Sequence, residues 1–551
     1  MPAVNIKREF FNHDAQAGGF FPITHTNPGF DIDKFIGETG QNYLIEGIRG
    51  TGKTHILKMV NEKCLDTFGE RRILPVYVSL ASVSEWVEND LSLFRIHLYA
   101  NIVLTSIDVL EKNRGKVELA GNPEGLKALK RIAQMFGLNE QENLDKIISK
   151  LKDIHKTLLS KLTYNPDMIL EKESDTLQNL GKVKGNAKGQ VFAVQMTFEE
   201  MIKTIEETEI QFVGKNLAHE NASTFIISFF YQLKQVLNHR YSFVLLDECS
   251  EVSKEAQVEV FRLLKLIRGA FGDDTKQNTA YFCASVYPSP VTYYPSKNLG
   301  DSFNFDAGHD AIMEYLHLDE LSDDYIGFYE ELTRKRISFA FGKPFERSSP
   351  LDIFENERAF ILASYFSNGI VRRYIEILKH AYDNLCQRTA GDSTEGIERI
   401  APKDVEEGVQ VVVANQILAQ NKLTVDDFRI VDDIVNRISW RNKKNETENE
   451  SKRKDKKIPA NVYFTVSRTE LFHLGRLIIQ GALHDKGRTR LKKYHKEGGT
   501  RGALIMLDLA VAFHDGAIDR IRAYDIFLKD LRKNAKSGYL WCQDFKLPIP
   551  K

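Results

Sequence analysis

The feature that most constrains this chain is a glycine-rich turn set between a short apolar run and a helical pattern. Its eight residues match the pattern GxxxxGK[ST] and are Gly47, Ile48, Arg49, Gly50, Thr51, Gly52, Lys53 and Thr54. Ile56, Leu57 and Val60 follow at helical spacing. Strand, loop and helix in this order predict a phosphate-binding loop, because glycines let backbone N–H groups converge on phosphates at a helix N-terminus.

Two carboxylates that follow a second apolar run extend this prediction. Asp247 and Glu248 end the run Phe243-Val244-Leu245-Leu246. The carboxyl edge of a parallel sheet is where nucleotides bind. We therefore expect the chain to bind and hydrolyse ATP with Mg²⁺: Lys53 reaches the β and γ phosphates, Thr54 ligates the metal, Asp247 orients it and Glu248 polarises the attacking water.

The other apolar segments indicate the fold. Buried strands are predicted at 72–82, 241–248 and 279–287, and a fifth strand at 311–321. Because helical patterns separate the strands, the sequence predicts an α/β fold whose parallel sheet is covered on both faces.

The chain divides by pattern into four parts. We expect an N-terminal segment at 1–40, a nucleotide-binding core at 41–320, a helical lid at 321–420 and a C-terminal domain at 421–551. The stretch at about 90–230 keeps helical period and predicts a helical insertion in the core. Its apolar stripe at 144–162 fits a core-facing helix or a helical arm.

Three further segments carry local predictions. The Gly- and Lys-rich stretch 179–190 predicts an exposed loop within the insertion. The charged stretch 442–457 predicts a solvated loop or linker. Residues 504–518 predict a hairpin.

Composition limits the function classes. The 75 Lys and Arg residues balance 76 Asp and Glu residues, so any nucleic-acid-binding surface must be local. The five cysteines stand singly and form no CxxC pair. No apolar run approaches the length of a membrane span, and the first residues lack a signal-peptide pattern. We therefore expect a cytoplasmic protein with reduced thiols and no membrane partner.

The chain resembles the AAA+ ATPases, and within them the origin-recognition and archaeal replication-initiator branch. The resemblance rests on GIRGTGKT, on VLLDE and on Asn368-Gly369-Ile370-Val371-Arg372-Arg373-Tyr374. It implies that a lid turn places Arg372 on the γ-phosphate, with Arg373 as the alternative. It also implies that Ser285, which closes the fourth strand, is a further sensor of the nucleotide.

In one segment the sequence departs from the family pattern. The resemblance implies an arginine finger shortly before the fifth strand, but residues 291–310 contain no arginine and only Lys297 as a cation. A finger would therefore come from elsewhere, or turnover would be slow.

The resemblance also implies a winged-helix DNA-binding domain at 421–551. A basic stretch at 486–501 has the composition of a wing that grips phosphates, although a solvated loop is the alternative. Its candidate contacts to duplex DNA are Lys486, Arg488, Arg490, Lys492 and Lys493. A homo-oligomer, a partner effector protein, or both are expected.

Two functions remain open at this point. The first is an ATPase that couples nucleotide state to the binding of DNA or a partner protein, which the basic stretch favours. The second is a STAND-like signalling switch, or the regulatory ATPase subunit of a prokaryotic anti-phage defence system, which the long insertion favours as a sensor.

Overall fold

A five-stranded parallel sheet forms the centre of the chain. The computed structural model describes residues 4–12, 20–27, 31–81, 83, 91–113, 222–269, 279–289, 291–390, 398–451, 460–490, 501–518 and 531. The strands are β1 (Tyr43–Glu46), β2 (Ile73–Ser79), β3 (Tyr241–Asp247), β4 (Ala280–Val286) and β5 (Ile312–Tyr315), in the spatial order β2-β3-β4-β1-β5. The predicted α/β fold and its strands are confirmed. Every residue of β3 is buried, in keeping with the apolar run Phe243-Val244-Leu245-Leu246 within it.

Helices cover both faces of this sheet. They are α1 (Lys53–Asp66), α2 (Phe68–Arg71), α3 (Leu91–Lys112), α4 (Ala222–Leu237) and α5 (Lys254–Gly269). Helix α1 packs on one face, and α3, α4 and α5 pack on the other. Arg95 of α3 forms a buried bidentate pair with Glu259 of α5, at 2.8 and 2.9 Å.

Helices α3 and α4 lie at the two ends of the predicted insertion. Both are helical, as the sequence predicts. The apolar stripe at 144–162 and the loop at 179–190 lie outside the described residues.

The lid is helical. Its elements are α6 (Tyr325–Phe341), α7 (Glu357–Phe366), α8 (Val371–Thr389), α9 (Pro402–Val412) and a π-helical turn at Val413–Ile417. The N-terminal segment packs on it, because Ile6 and Phe10 are buried in the same apolar core. Arg336 of α6 fixes this contact by donating to the carbonyl oxygens of Phe10 and Asn12, at 2.6 and 2.8 Å.

The C-terminal part combines helices with a small antiparallel sheet. Its elements are α10 (Val425–Glu450), β6 (Tyr463–Ser467), α11 (Arg468–His473), α12 (Gly475–Ile479), β7 (Leu483–Arg490), β8 (Arg501–Leu507) and α13 (Leu509–His514). The three strands have the order β6-β8-β7. Among the helices that the structure describes, none is both long enough and apolar enough to cross a bilayer.

Two local predictions are wrong in this part. The predicted linker at 442–457 is helical as far as Glu450, because Asn442 is buried and its amide donates to the carbonyl oxygens of Asn461 and Ala517, at 3.1 and 2.9 Å. The predicted hairpin at 504–518 is instead a strand followed by a helix. Asp508 directly follows the strand. Its carboxylate caps α13 by accepting hydrogen bonds from the backbone N–H groups of Ala510 and Val511.

Candidate functional site

The glycine-rich loop predicted to bind phosphate, the phosphate loop, lies between β1 and α1. Gly50 and Gly52 have φ angles of 86° and 98°, a left-handed conformation that favours glycine. A Cβ atom on Gly50 would lie 2.9 Å from Cγ2 of Ile370 and 3.1 Å from Cβ of Arg372. The glycines therefore shape the loop and also let the lid approach its backbone.

The Lys53 ammonium lies inside this loop. Its Nζ donates to the carbonyl oxygens of Gly47 and Ile48, at 2.6 and 3.1 Å, and lies 4.3 Å from the centre of the Tyr287 ring. Burial lowers the pKa of Lys53 to about 7, against the attraction of Asp247 and other acids nearby. A phosphate group bound at this point would supply negative charge and favour the protonated form of Lys53.

The two acids at the end of β3 have different environments. Asp247 is buried, and its Oδ1 accepts from Ser285 Oγ at 2.6 Å and from the Glu248 backbone N–H at 3.0 Å. Its Oδ2 accepts from the Tyr77 hydroxyl at 2.8 Å. Three donors thus fix this carboxylate, as orientation of a metal ion through water requires.

Glu248 is held in an unusual conformation. Its φ of 63° is left-handed, which is uncommon for a residue other than glycine. Its carboxylate accepts from Ser79 Oγ at 3.1 Å, and its backbone N–H donates to Ser285 Oγ at 2.8 Å. Ser285 therefore lies where the sequence predicts, at the end of β4, and contacts both acidic residues.

These groups line one cleft, with a cavity volume of about 280 Å³. The residues from Arg49 to Thr54 line it, together with Asp247, Glu248 and Ser285. Thr54 and Asp247 offer the hard oxygen ligands that suit Mg²⁺. Other elements contribute further lining residues, which are Thr24, His25, Thr26, His55, Phe328, Leu332 and Arg336.

These further lining residues were missed by sequence reasoning. The rings of His25 and His55 are stacked, with their centres 5.2 Å apart. Burial lowers the pKa of His25 to about 4 and that of His55 to about 3, so both are neutral near pH 7. Thr26 Oγ1, His55 Nε2 and Arg336 Nε are buried without a hydrogen-bond partner among the described residues. No sequence motif identifies these residues, because only the folding of the chain brings the N-terminal segment and the lid together.

The lid arginines separate clearly in space. The Arg372 backbone N–H donates to the Gly50 carbonyl oxygen at 3.1 Å, and its side chain lines the cleft. Arg373 instead forms a buried ion pair with Asp508 and donates to the carbonyl oxygen of Gly481 at 3.0 Å. Of the two candidates, Arg372 alone lines the cleft.

One candidate DNA contact requires correction. Lys486 forms an ion pair of 2.6 Å with Glu320, and only 9% of its side chain is exposed. Its ammonium is therefore not available to a phosphate in this conformation. Arg488 and Arg490 lie on β7, whereas Lys492 and Lys493 lie outside the described residues.

Comparisons with known proteins give a distant likeness alone. No protein-family model and no curated protein matches the chain. Among solved structures, the ORC2 protein of Aeropyrum pernix in ADPNP-ADP complexes is 11% identical, with a TM-score of 0.34, over 91% of this chain and 89% of that chain. The ORC1 protein of Aeropyrum pernix in complex with DNA is 10% identical, with a TM-score of 0.33, over 96% and 98%. Scores this low lend no weight to any detail of the site.

The internal geometry defines the fold class. A glycine-rich loop follows β1, an acid pair lies at the end of β3, and the parallel sheet has the order β2-β3-β4-β1-β5, so the chain has the α/β core that the sequence predicts. A helical lid and an α+β C-terminal part follow it.

The lowered pKa of Lys53 predicts a pH dependence of nucleotide binding. Above pH 7 the lysine is mostly neutral without nucleotide, and bound phosphates restore its charge. Binding then takes up a proton, and affinity falls as the pH rises, by up to about tenfold per unit. Calorimetry at pH 8 in buffers of different ionisation enthalpy should therefore detect uptake of close to one proton.

The control for this measurement is Glu46→Gln. Burial also raises the pKa of Glu46 to about 7, so Glu46 is another titrating group beside the loop. The variant should still take up the proton. A proton count of zero in wild type would show that Lys53 is already charged before nucleotide binds.

Proposed function

We propose that the chain binds ATP with Mg²⁺ in this cleft, hydrolyses it, and uses the nucleotide state to control DNA binding by its C-terminal part. The observation that carries the proposal is the convergence of Lys53, Asp247, Glu248 and Arg372 on one cleft. A cation in a phosphate loop, an acid pair and a lid arginine are the parts that phosphoryl transfer to water needs.

Each residue then has a chemical role. Lys53 and the N-terminus of α1 bind the phosphates. Thr54 and Asp247 hold Mg²⁺, which neutralises charge on the phosphate oxygens when it is bound. Glu248 accepts a hydrogen bond from the attacking water and takes its proton. Arg372 brings the lid onto the γ-phosphate.

The base end of the nucleotide completes the site. Thr26 Oγ1 and His55 Nε2 are buried polar atoms with no hydrogen-bond partner in the part of the chain that the structure describes, and such atoms destabilise a protein unless a hydrogen bond satisfies them. A purine ring next to the stacked His25 and His55 would offer such hydrogen bonds. We therefore assign the base to the end of the cleft between the N-terminal segment and the lid.

The turn before α8 supplies the link to the C-terminal part. Asn368 Oδ1 accepts from the Leu509 backbone N–H at 2.9 Å, and the next few residues of this turn contact the phosphate loop. Gly369 has a φ of 75°, and a Cβ atom there would lie 2.4 Å from the Leu318 carbonyl oxygen. The turn is thus packed tightly between core and C-terminal part, so movement of the lid moves both contacts.

The β7–β8 hairpin is the DNA-binding element of this proposal. Arg488 and Arg490 lie on β7 and pair in register with Ala503 and Arg501 of β8, which places three arginines on one hairpin. Such a hairpin beside short helices has the arrangement of a wing. Its contacts would be to backbone phosphates, which carry no sequence information.

The ATPase activity is tested first. Glu248→Gln should retain ATP binding and reduce the rate of phosphate release by about a hundredfold or more, because the group that activates water is lost. Lys53→Ala should lose most of the ATP affinity in equilibrium titration. Glu255→Gln, on the exposed first turn of α5, is the matched control and should hydrolyse ATP at the wild-type rate. Wild-type turnover by Glu248→Gln would remove this acid from the mechanism.

DNA binding is tested by its salt dependence. If Arg488 and Arg490 contact phosphates, reversing both charges to Glu should weaken duplex binding and reduce the slope of log affinity against log salt by about two. Fluorescence anisotropy at several salt concentrations measures this slope. The control reverses Lys443 and Lys444, which are exposed on α10, and should keep the wild-type slope. Equal slopes in wild type and hairpin variant would exclude the hairpin from the DNA interface.

A further inference from the structure

The sequence lacks an arginine in the segment where the resemblance implies an arginine finger. Charge on the γ-phosphate oxygens in the transition state is commonly stabilised by an arginine, supplied in cis or by a partner. Residues 291–310 contain no arginine, and Lys297 lies in an exposed turn. A residue outside this segment would have to fill this role.

Three arginines line the described cleft: Arg49, Arg336 and Arg372. Arg336 is committed to the backbone of the N-terminal segment and lies at the base end. Arg372 belongs to the lid, so its position depends on lid closure. Arg49 is the one arginine of these three that lies within the phosphate loop itself.

The partner of Arg49 is also part of the site. Its Nη2 lies 3.3 Å from Oε1 of Glu251, which follows the Asp247–Glu248 pair by three residues. The side chains are 44% and 34% exposed, so water screens the pair and it is weak. Tyr287 donates its hydroxyl hydrogen to the same Glu251 oxygen.

Tyr287 connects this pair with the phosphate-binding lysine. The Lys53 ammonium lies over the Tyr287 ring, while the hydroxyl of that ring holds Glu251 beside Arg49. Lys53 and Arg49 are thus both connected to Tyr287, Lys53 through the ring and Arg49 through Glu251. The Arg49 charge is close enough to contribute to the lowered pKa of Lys53.

We propose that Arg49 is a catalytic residue that leaves Glu251 when ATP binds and contacts the γ-phosphate from within the same chain. The inference rests on the proposed ATPase function and assigns to the phosphate loop the role that residues 291–310 lack. A doubly charged γ-phosphate competes for the guanidinium better than one half-exposed carboxylate does, and Arg favours bidentate contact with phosphate oxygens.

The reaction balances without a proton from Arg49. Water oxygen forms the new bond to the γ-phosphorus as the bond to the ADP oxygen breaks. The water proton passes to Glu248, and ADP leaves with the bonding electron pair. Arg49 stays protonated and stabilises charge on the equatorial oxygens.

Steady-state ATP hydrolysis by the full chain, with separate kcat and KM, tests this role. Arg49→Ala should lower kcat by about a hundredfold or more and change ATP affinity by less than about threefold, since the contact strengthens in the transition state. Arg49→Lys should recover little, because Lys lacks the planar fork. Lys422→Ala is the matched control: this cation near Arg49 donates to the Gln416 carbonyl oxygen, and its removal should leave kcat unchanged.

The Glu251→Gln variant provides an independent test. Without the competing carboxylate, ATP should bind severalfold more tightly, and this gain should disappear when Arg49→Ala is added. A wild-type kcat in Arg49→Ala, in a variant that still binds ATP, would overturn the inference and leave the ATPase proposal intact. Absence of turnover in wild type would overturn both.

Discussion

The hydrogen bond from the Arg372 backbone N–H to the Gly50 carbonyl oxygen joins the lid to the phosphate loop. Gly50 must lack a side chain for this contact, since a Cβ atom would collide with Ile370. The next residue, Arg373, points to the opposite side and pairs with Asp508. Two consecutive arginines therefore connect the cleft with the C-terminal part over a single peptide unit.

On the C-terminal side, this connection consists of buried ionisable groups. Asp508 accepts from Arg373 and from His484 Nε2, at 2.8 Å for the latter, and these groups bring the pKa of Asp508 below its usual value although burial raises it. Lys486 and Glu320 form a second pair across the same boundary. Removing one partner of such a buried pair costs about 3–5 kcal/mol, so the boundary keeps a defined geometry.

Much of the core could be predicted from the sequence, because its signals are local. The loop from Gly47 to Thr54 and the acids at the end of β3 follow from spacing alone, and the central strands β2, β3 and β4 are rich in apolar residues. The pairing of Arg373 with Asp508 could not be predicted, since a second arginine beside Arg372 has no local signature. The helical structure of 442–450 was also not predicted. Asn442 is buried and satisfied by hydrogen bonds, but in the sequence it cannot be told from a solvated asparagine.

The proposed coupling of nucleotide state to the C-terminal part depends on the contacts in and next to the turn before α8, and the Arg373–Asp508 ion pair is one of them. The direct measurement is the ratio of duplex DNA affinities with a non-hydrolysable ATP analogue and with ADP, in wild type and in Asp508→Asn. We predict a ratio of about fivefold or more in wild type and near one in the variant. Glu259→Gln, which breaks the equally buried pair with Arg95 inside the core, should keep the wild-type ratio. An unchanged ratio in a folded Asp508→Asn protein would contradict the account.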